Sequence, residues 1–370
     1  MVMRQRRSKS DKTTEPKGHK TLAEQVETSA DMVIERQAEY DGNVDMITST
    51  GSTLLDLEIS GERVRSGGLP SGIMVEIYSK NSVGKTVLLC EIAGNVQRKG
   101  GQVMFKDPEG RLNKQFAGRF GVKPDELDYS TPDTVPEVFE PVRKWKPKNP
   151  DTVNGIFADS LAALSSELEM GEKGDKMGMR RAKEFSQECR KVCRSLVQNN
   201  FLMVCSNQMR ATGNSFGPSE DATGGNAIGY YSSLRIKLQM KEKLTREVEF
   251  DTGRKDEKGK AITNKTEKNY GTVVDAFIVK SSVAMAYGTA LIYILPQYGI
   301  DDVRANLVWY KRETKDTKYF AGGRGLEEAI VIIERENKQT ELREAVIDLW
   351  EKIFALSTKK ERERVPKERW

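Results

Sequence analysis

Residues 74–96 join a buried-type strand, Met74–Tyr78, to a helical run, Val87–Val96, through the octet Ser79-Lys80-Asn81-Ser82-Val83-Gly84-Lys85-Thr86. A strand that passes straight into a turn and a helix is the start of a βα unit, and repeated units of this kind fold as a parallel sheet with helices on both faces. The octet also carries chemistry. Consecutive N–H groups at a helix N-terminus can wrap phosphates, a lysine ammonium can reach the β and γ groups, and a threonine hydroxyl can ligate Mg²⁺. Lys85 and Thr86 hold those two places, with Val87 opening the helix. Ser79 stands where the consensus has glycine. If that position requires a positive φ, a side chain there costs about 1 kcal/mol. Taken alone, the loop reads as readily as a coincidental helix start.

Further strands supply a test. Gln102–Lys106, Val153–Ala158 and Phe201–Ser206 are β-rich runs, each followed by a turn or helix, so α/β alternation extends from about Thr48 to Leu295. Open parallel sheets bind ligands at the C-terminal edge of their strands. At that edge the second strand carries Lys106-Asp107-Pro108-Glu109 and the third carries Asp159-Ser160. Glu109 is the candidate for orienting and deprotonating an attacking water; the plainer alternative is a turn carboxylate. Asp159, an acid closing an apolar strand, fits a Walker B residue that holds hydrated Mg²⁺. Three loops at one edge then agree on a nucleotide site.

Composition narrows the remaining classes. The 370 residues suggest one large domain with appendages, or two domains. Lys and Arg number 60 against 55 Asp and Glu, a net charge of +5, so nucleic-acid affinity has to come from local clusters. The single histidine, His19, excludes Ser-His-Asp and Cys-His catalysis and any site with two imidazoles from the ordered part of the chain. Cys90, Cys189, Cys193 and Cys205 have no C-x-x-C spacing and read as free thiols of a reducing compartment. No apolar run approaches the ~18 residues of a membrane span, so a cytoplasmic chain without a membrane partner is expected.

Residues 1–20, with seven basic and two acidic side chains, are expected to form a mobile basic arm. Residues 21–46 hold a capping box, Thr21-x-x-Glu24, and an apolar stripe of Leu22, Val26, Ala30 and Val33, the pattern of a helix that covers its own domain or a neighbouring subunit, followed by a linker. Residues 47–298 are the core. Within it the hydrophilic stretch Lys241–Tyr270 is expected to be a long hairpin tip or a disordered insertion. Residues 299–356 read as a small C-terminal subdomain containing a helix with Leu342, Val346, Leu349 and Ile353 on one face, and 357–370 as a charged tail.

From about Ile47 to Phe354 the order and wording of these segments resemble the bacterial RecA recombinase family, phage-encoded relatives included. The resemblance rests on Ser49-Thr-Gly-Ser52, Leu54-Leu-Asp56, Gly67-Gly-Leu-Pro70, Val75-Glu-Ile-Tyr78, Asp159-Ser-Leu-Ala-Ala-Leu164, Asn207-Gln-Met-Arg210 and Thr223-Gly-Gly-Asn-Ala227. It implies a RecA-type P-loop ATPase core, mostly parallel sheet with helices on both faces, flanked by an N-terminal oligomerisation helix and a small C-terminal α/β subdomain. It implies ATP and Mg²⁺ as ligands, single-stranded and double-stranded DNA as partners, and a helical filament of identical subunits that performs strand exchange. A single-strand-binding protein or loader is a candidate partner, and the expected location is the cytoplasm at the nucleoid, in the host cell for a phage-encoded chain.

By the same resemblance Glu109 falls on the catalytic glutamate, Phe116 on the aromatic that stacks on adenine, and Gln208 on a γ-phosphate sensor. Lys280 matches one of two lysines that reach the ATP of the adjacent subunit, while the second position reads Ser282. Segments 167–177 and 209–226 correspond to the DNA-binding loops, with Met177, Arg190, Arg210, Gly224, Gly225 and Asn226 as candidate DNA contacts. The tail from Lys359 to Trp370 has six basic and three acidic residues where many relatives are acidic, which implies duplex entry with little inhibition. The alternatives are a ring-helicase-like motor on the same fold, and a non-hydrolysing filament or mediator protein, which Ser79 and Ser282 keep open.

Overall fold

The computed structural model describes residues 46–165, 177–211, 220–222, 226–255 and 257–359. The basic arm, the expected N-terminal helix, Gly224, Gly225 and most of the tail lie outside them.

A short pair, β1 (Ile47–Thr48) with β2 (Leu69–Pro70), brackets helix α1 (Thr53–Ser60). Ser52 caps α1, its side chain accepting from Leu55 N. The main sheet is then laid down as β3 (Met74–Ser79), α2 (Lys85–Arg98), β4 (Val103–Lys106), α3 (Lys114–Arg119), β5 (Leu127–Ser130), α4 (Val135–Lys144), β6 (Asn154–Ala158), α5 (Met177–Asn199) and β7 (Phe201–Ala211). The chain continues through β8 (Glu220–Ala222), α6 (Asn226–Tyr231), β9 (Leu234–Lys255), β10 (Ala261–Ser281), β11 (Thr289–Leu295) and β12 (Gly299–Ile300), and closes with α7 (Asp302–Thr314), α8 (Leu326–Arg335) and α9 (Gln339–Ser357). The strand order is β12-β11-β10-β9-β3-β7-β6-β4-β5, with β8 paired to the end of β7. From β9 to β5 the pairs are parallel, and β10 to β12 add an antiparallel wing.

Alternation along the strands builds two cores. Val75 and Ile77, Val103 and Phe105, and Leu202 and Val204 face α1, α2 and the C-terminal helices, whereas Met74, Met104, Ile156, Phe201 and Met203 face α4, α5 and α6. Both faces of a parallel sheet must be covered, which is why these strands read as near-continuous apolar runs.

Two expectations change at the periphery. Residues 302–357 contribute three helices, and β12 is the one strand beyond residue 298 among the described residues, so this region is helical rather than a small α/β subdomain. Nor does it form a separate core: Leu342, Val346, Ile347 and Trp350 pack into the core on the α2 face. Leu349 and Ile353, expected in that stripe, are less covered, with Ile353 38% exposed. Arg65 reaches across to Glu344, Asp348 and Glu351 at 2.7, 2.7 and 3.3 Å, and Asp302 accepts from Thr53 N and Oγ1 at 2.7 Å each. The Lys241–Tyr270 stretch is a hairpin, its two strands continuing the ladders of β9 and β10. Cys90, Cys189 and Cys205 are buried free thiols and Cys193 is half-buried. No described helix is long and apolar enough to cross a membrane.

Candidate nucleotide site

The octet between β3 and α2 takes its shape from two left-handed residues. Ser82 has φ 60° and Gly84, the residue before α2, has φ 102°. Glycine suits 84 because the φ disfavours a side chain, and an added Cβ, 2.4 Å from Ile294 Cδ1, would also require that side-chain end to shift. Ser79 ends β3 in the sheet register opposite Gln208 and is not among the positive-φ residues, so the penalty conditional on its replacing glycine does not arise. Its hydroxyl instead accepts from Lys85 Nζ at 3.1 Å, while Lys80 O accepts from the same ammonium at 3.1 Å.

A cavity of about 690 Å³ opens over this loop, a size typical of small-molecule sites. Asn81, Ser82, Lys85 and Thr86 form its floor, Glu109 and Phe116 one wall, and Asp159 and Gln208 another. Four strand ends supply these groups because β3, β4, β6 and β7 are adjacent and parallel, which brings their C-terminal ends to one edge. Val83 and Val87 are buried beneath the loop.

Charge in the cavity is tightly partnered. Thr86 Oγ1 donates to Asp159 Oδ2 at 2.6 Å, and Ser206 Oγ donates to Asp159 Oδ1. Burial pushes the Asp159 carboxyl above its ordinary range, opposed by those two hydrogen bonds and by Lys85, with Glu109 adding to the rise. Burial likewise lowers the Lys85 ammonium, against the pull of Asp159 and Glu109. On Glu109, Oε1 accepts from Ser160 Oγ at 3.1 Å and from Gln208 Nε2 at 3.2 Å, while Oε2 pairs with Arg111 at 2.8 Å. Phe116 packs edge-on against Phe120, ring centroids 4.4 Å apart, and the Asn113 side chain caps its short helix.

The donor set suits the expected ligands. A hydroxyl and a carboxylate are the hard oxygen ligands Mg²⁺ takes, one or two from protein and the rest from water and phosphate. The N–H groups at the start of α2 and the Lys85 ammonium suit a polyphosphate.

Sequence reasoning missed Arg111, Ser160 and Ser206. Ser160 follows Asp159 and Arg111 lies two residues after Glu109, so both were within reach of the motifs; Ser206 becomes visible once β6 and β7 are known to be neighbours. Lys280 is not at this cavity. Its Nζ donates to Gly229 O at 3.0 Å and Tyr230 O at 2.7 Å, at the far side of β9. Arg190 is exposed on α5, Met177 is the first residue of α5, Asn226 is the first of α6, and Arg210 pairs with Asp221 in the β7–β8 ladder.

Comparison with known proteins places the chain in a family. The RecA N-terminal domain family matches residues 22–300. The chain belongs to the RecA family. A Protein RecA of Cereibacter sphaeroides is 39% identical over 194 residues, 52% of this chain and 54% of that protein. Protein RecA of Delftia acidovorans is 33% identical over 256 residues, covering 69% and 63% of the two chains. The chain thus spans about half the length of the first RecA relatives it matches. Among solved structures, a RadB recombinase aligns with 98% of its own chain and 69% of this one at 16% identity, with a TM-score of 0.46. Family membership agrees with the α/β core of parallel strands covered on both faces.

Proposed function

We propose that this RecA-family chain is an ATP-dependent DNA recombinase, which assembles as a filament on single-stranded DNA, hydrolyses ATP when DNA is bound, and pairs the strand with a homologous duplex. The supporting observation is Gln208. Its amide touches Glu109 at the cavity wall, and the strand that carries it runs on into the 209–226 segment. One residue thereby touches the group proposed for catalysis and adjoins, along the chain, the segment proposed for DNA.

In this reading Lys85 and the N–H groups at the start of α2 bind the phosphates of ATP, and Phe116 lies against the adenine. Glu109 takes the proton of the attacking water, with Ser160 and Gln208 holding the carboxylate in place. Thr86 and Asp159 would hold Mg²⁺, which when bound polarises the phosphoryl oxygens. Lys280 serves the nucleotide of a neighbouring copy. Arg190, Arg210, Met177, Gly224, Gly225 and Asn226 contact the DNA, in a sequence-tolerant and salt-sensitive way. The partners are single-stranded and double-stranded DNA, with a single-strand-binding protein or loader as an accessory, in the cytoplasm.

Phosphate release measured with and without oligo(dT), on the natural chain and on Glu109→Gln, tests the reading together with joint-molecule formation between homologous DNAs. Strong stimulation by oligo(dT), abolished in the variant, and joint molecules formed with ATP are expected. DNA binding without turnover would make the chain a mediator, and turnover with unwinding but no joint molecules would make it a helicase.

A further inference from the structure

The nucleotide site makes no use of the outer halves of β9 and β10. Up to Lys243 and Thr272 these strands lie within the sheet, since β11 pairs with Thr272–Phe277. Beyond Leu244 and Gly271 they pair with each other and, among the described residues, with no third strand. The free part, Leu244–Lys255 with its partner strand, is a ribbon roughly 40 Å long at about 3.4 Å per residue. Because β9 runs parallel to β3 and continues past its end, as β7 also does, the ribbon leaves the sheet at the edge that carries the cavity and the β7–β8 turn.

Its register sorts charge by face. On one face Arg246 lies opposite Lys268, Val248 opposite Thr266 and Phe250 opposite Asn264. On the other Glu247 lies opposite Glu267, Glu249 opposite Lys265 and Asp251 opposite Thr263. Like charges directly opposite each other destabilise a ladder, yet each face contains such a pair. The acidic face has an internal remedy, the ion pair of Lys265 with Glu247 at 2.7 Å. The other face has no acid in these positions. It presents Val248 at 41% and Phe250 at 44% exposure, and Arg246 lies over the Tyr270 ring at 4.7 Å. Arg254 and Lys255 add exposed cations toward the turn.

A face that sets cation against cation and keeps apolar side chains in water suits a partner with paired rows of negative charge flanking a groove that offers some apolar contact. A DNA duplex has that chemistry, since its major groove lies between two phosphate rows, exposes thymine methyls among polar base edges, and admits a two-stranded β-ribbon. Single-stranded DNA calls for a row of exposed rings, and here Phe250 stands alone because Arg246 covers Tyr270. We propose that this face of the ribbon docks duplex DNA, with Arg246 and Lys268 against phosphates and Val248 and Phe250 against the groove. The inference deepens the proposed function, on which it rests for its DNA partner, by naming an element that receives the second DNA molecule.

The full chain can be titrated with a labelled 30-bp duplex and with oligo(dT) across a range of salt. Arg246→Glu is the decisive variant, because it turns the cation pair with Lys268 into an opposite-charge pair and so favours the ribbon fold while removing the proposed contact. Duplex affinity is expected to fall roughly tenfold and its log–log salt slope to become shallower by about 1, with oligo(dT) affinity changed by less than about twofold. Replacing 246–268 with an Asn-Gly turn should weaken duplex binding further and leave ATP hydrolysis on oligo(dT) intact. Unchanged duplex affinity in both variants overturns the proposal. So does an equal loss on duplex and oligo(dT), or a loss of self-association in sedimentation with duplex affinity unchanged, which would make a second copy the occupant. A natural chain that hydrolyses ATP on oligo(dT) but binds no duplex sinks the ribbon and leaves the nucleotide reading standing. One that neither binds nor hydrolyses ATP, yet loses duplex affinity in Arg246→Glu, does the reverse.

Discussion

Between Leu234 and Leu238 strand β9 alternates buried and half-buried residues against β3, whereas between Arg246 and Lys255 every residue except Thr252 is exposed. The two ends of this strand therefore treat charge in two ways. At the base, Glu76 is fully buried and is shared by Arg235, whose Nε is 2.6 Å away, and Asn207, whose Nδ2 donates at 2.8 Å. Arg235 also lies over the Tyr78 ring at 4.7 Å. In the ribbon, charges stand in water and are separated by face. Burial makes a charge depend on its partner inside the fold; exposure leaves it available to a partner outside.

The largest expected effect separates the two regions by function. Glu109→Gln should lower DNA-stimulated ATP hydrolysis by about 10²–10⁴-fold, the usual contribution of a general base, and leave duplex binding in place; phosphate release and anisotropy read the two. In stability, Arg235→Ala strands the buried Glu76 carboxylate and should cost about 3–5 kcal/mol in urea unfolding. Lys265→Ala breaks an exposed pair and should cost under about 1 kcal/mol. Similar losses from these two would break the comparison.

Glycines offer a finer contrast. Gly84→Ala meets both a φ of 102° and the Ile294 contact, and should cost about 1–3 kcal/mol together with nucleotide affinity, measured by unfolding and by calorimetric titration. Gly259→Ala, at φ 78° with nothing within 4 Å of the added carbon, should cost about 1 kcal/mol, seen as faster amide exchange at the ribbon turn.

The last effect is one of pH. Burial pushes the Glu91 carboxyl on α2 up to about 7 from 4.5, with the Ile300 N–H and Arg98 opposing the rise. The folded chain then holds this proton to higher pH than the unfolded chain, so the associated stability is present below pH 4.5 and is lost as pH rises through 7. Glu91→Gln should flatten that decline between pH 5 and 8 in urea midpoints, and trimming the ribbon should leave it in place.

Much of the cavity was legible because local patterns report local geometry. A strand end, a turn and a helix start are contiguous in sequence, so Lys85 and Thr86 could be located from residues 74–96, and Glu109 and Asp159 from the ends of apolar runs. Ser206 was not legible, because its contact with Asp159 depends on β6 and β7 being neighbours. The stripe on α9 was misjudged in part, since helical periodicity identifies an apolar side but not how far a covering surface extends, and Ile353 falls near its margin.

The sequence by itself determined the α/β class, the phosphate loop and the acids at the sheet edge, since each follows from residue types a few positions apart. Only the tertiary structure decided that Ser79 is extended while Ser82 and Gly84 take the left-handed turns, that Arg111 pairs with Glu109, and that residues 302–357 merge with the main core. It also decided that the hydrophilic insertion is a ribbon with opposed charges on its two faces. Those outcomes depend on register and packing between segments distant in the chain, where a shift of one residue exchanges the faces while leaving the composition unchanged.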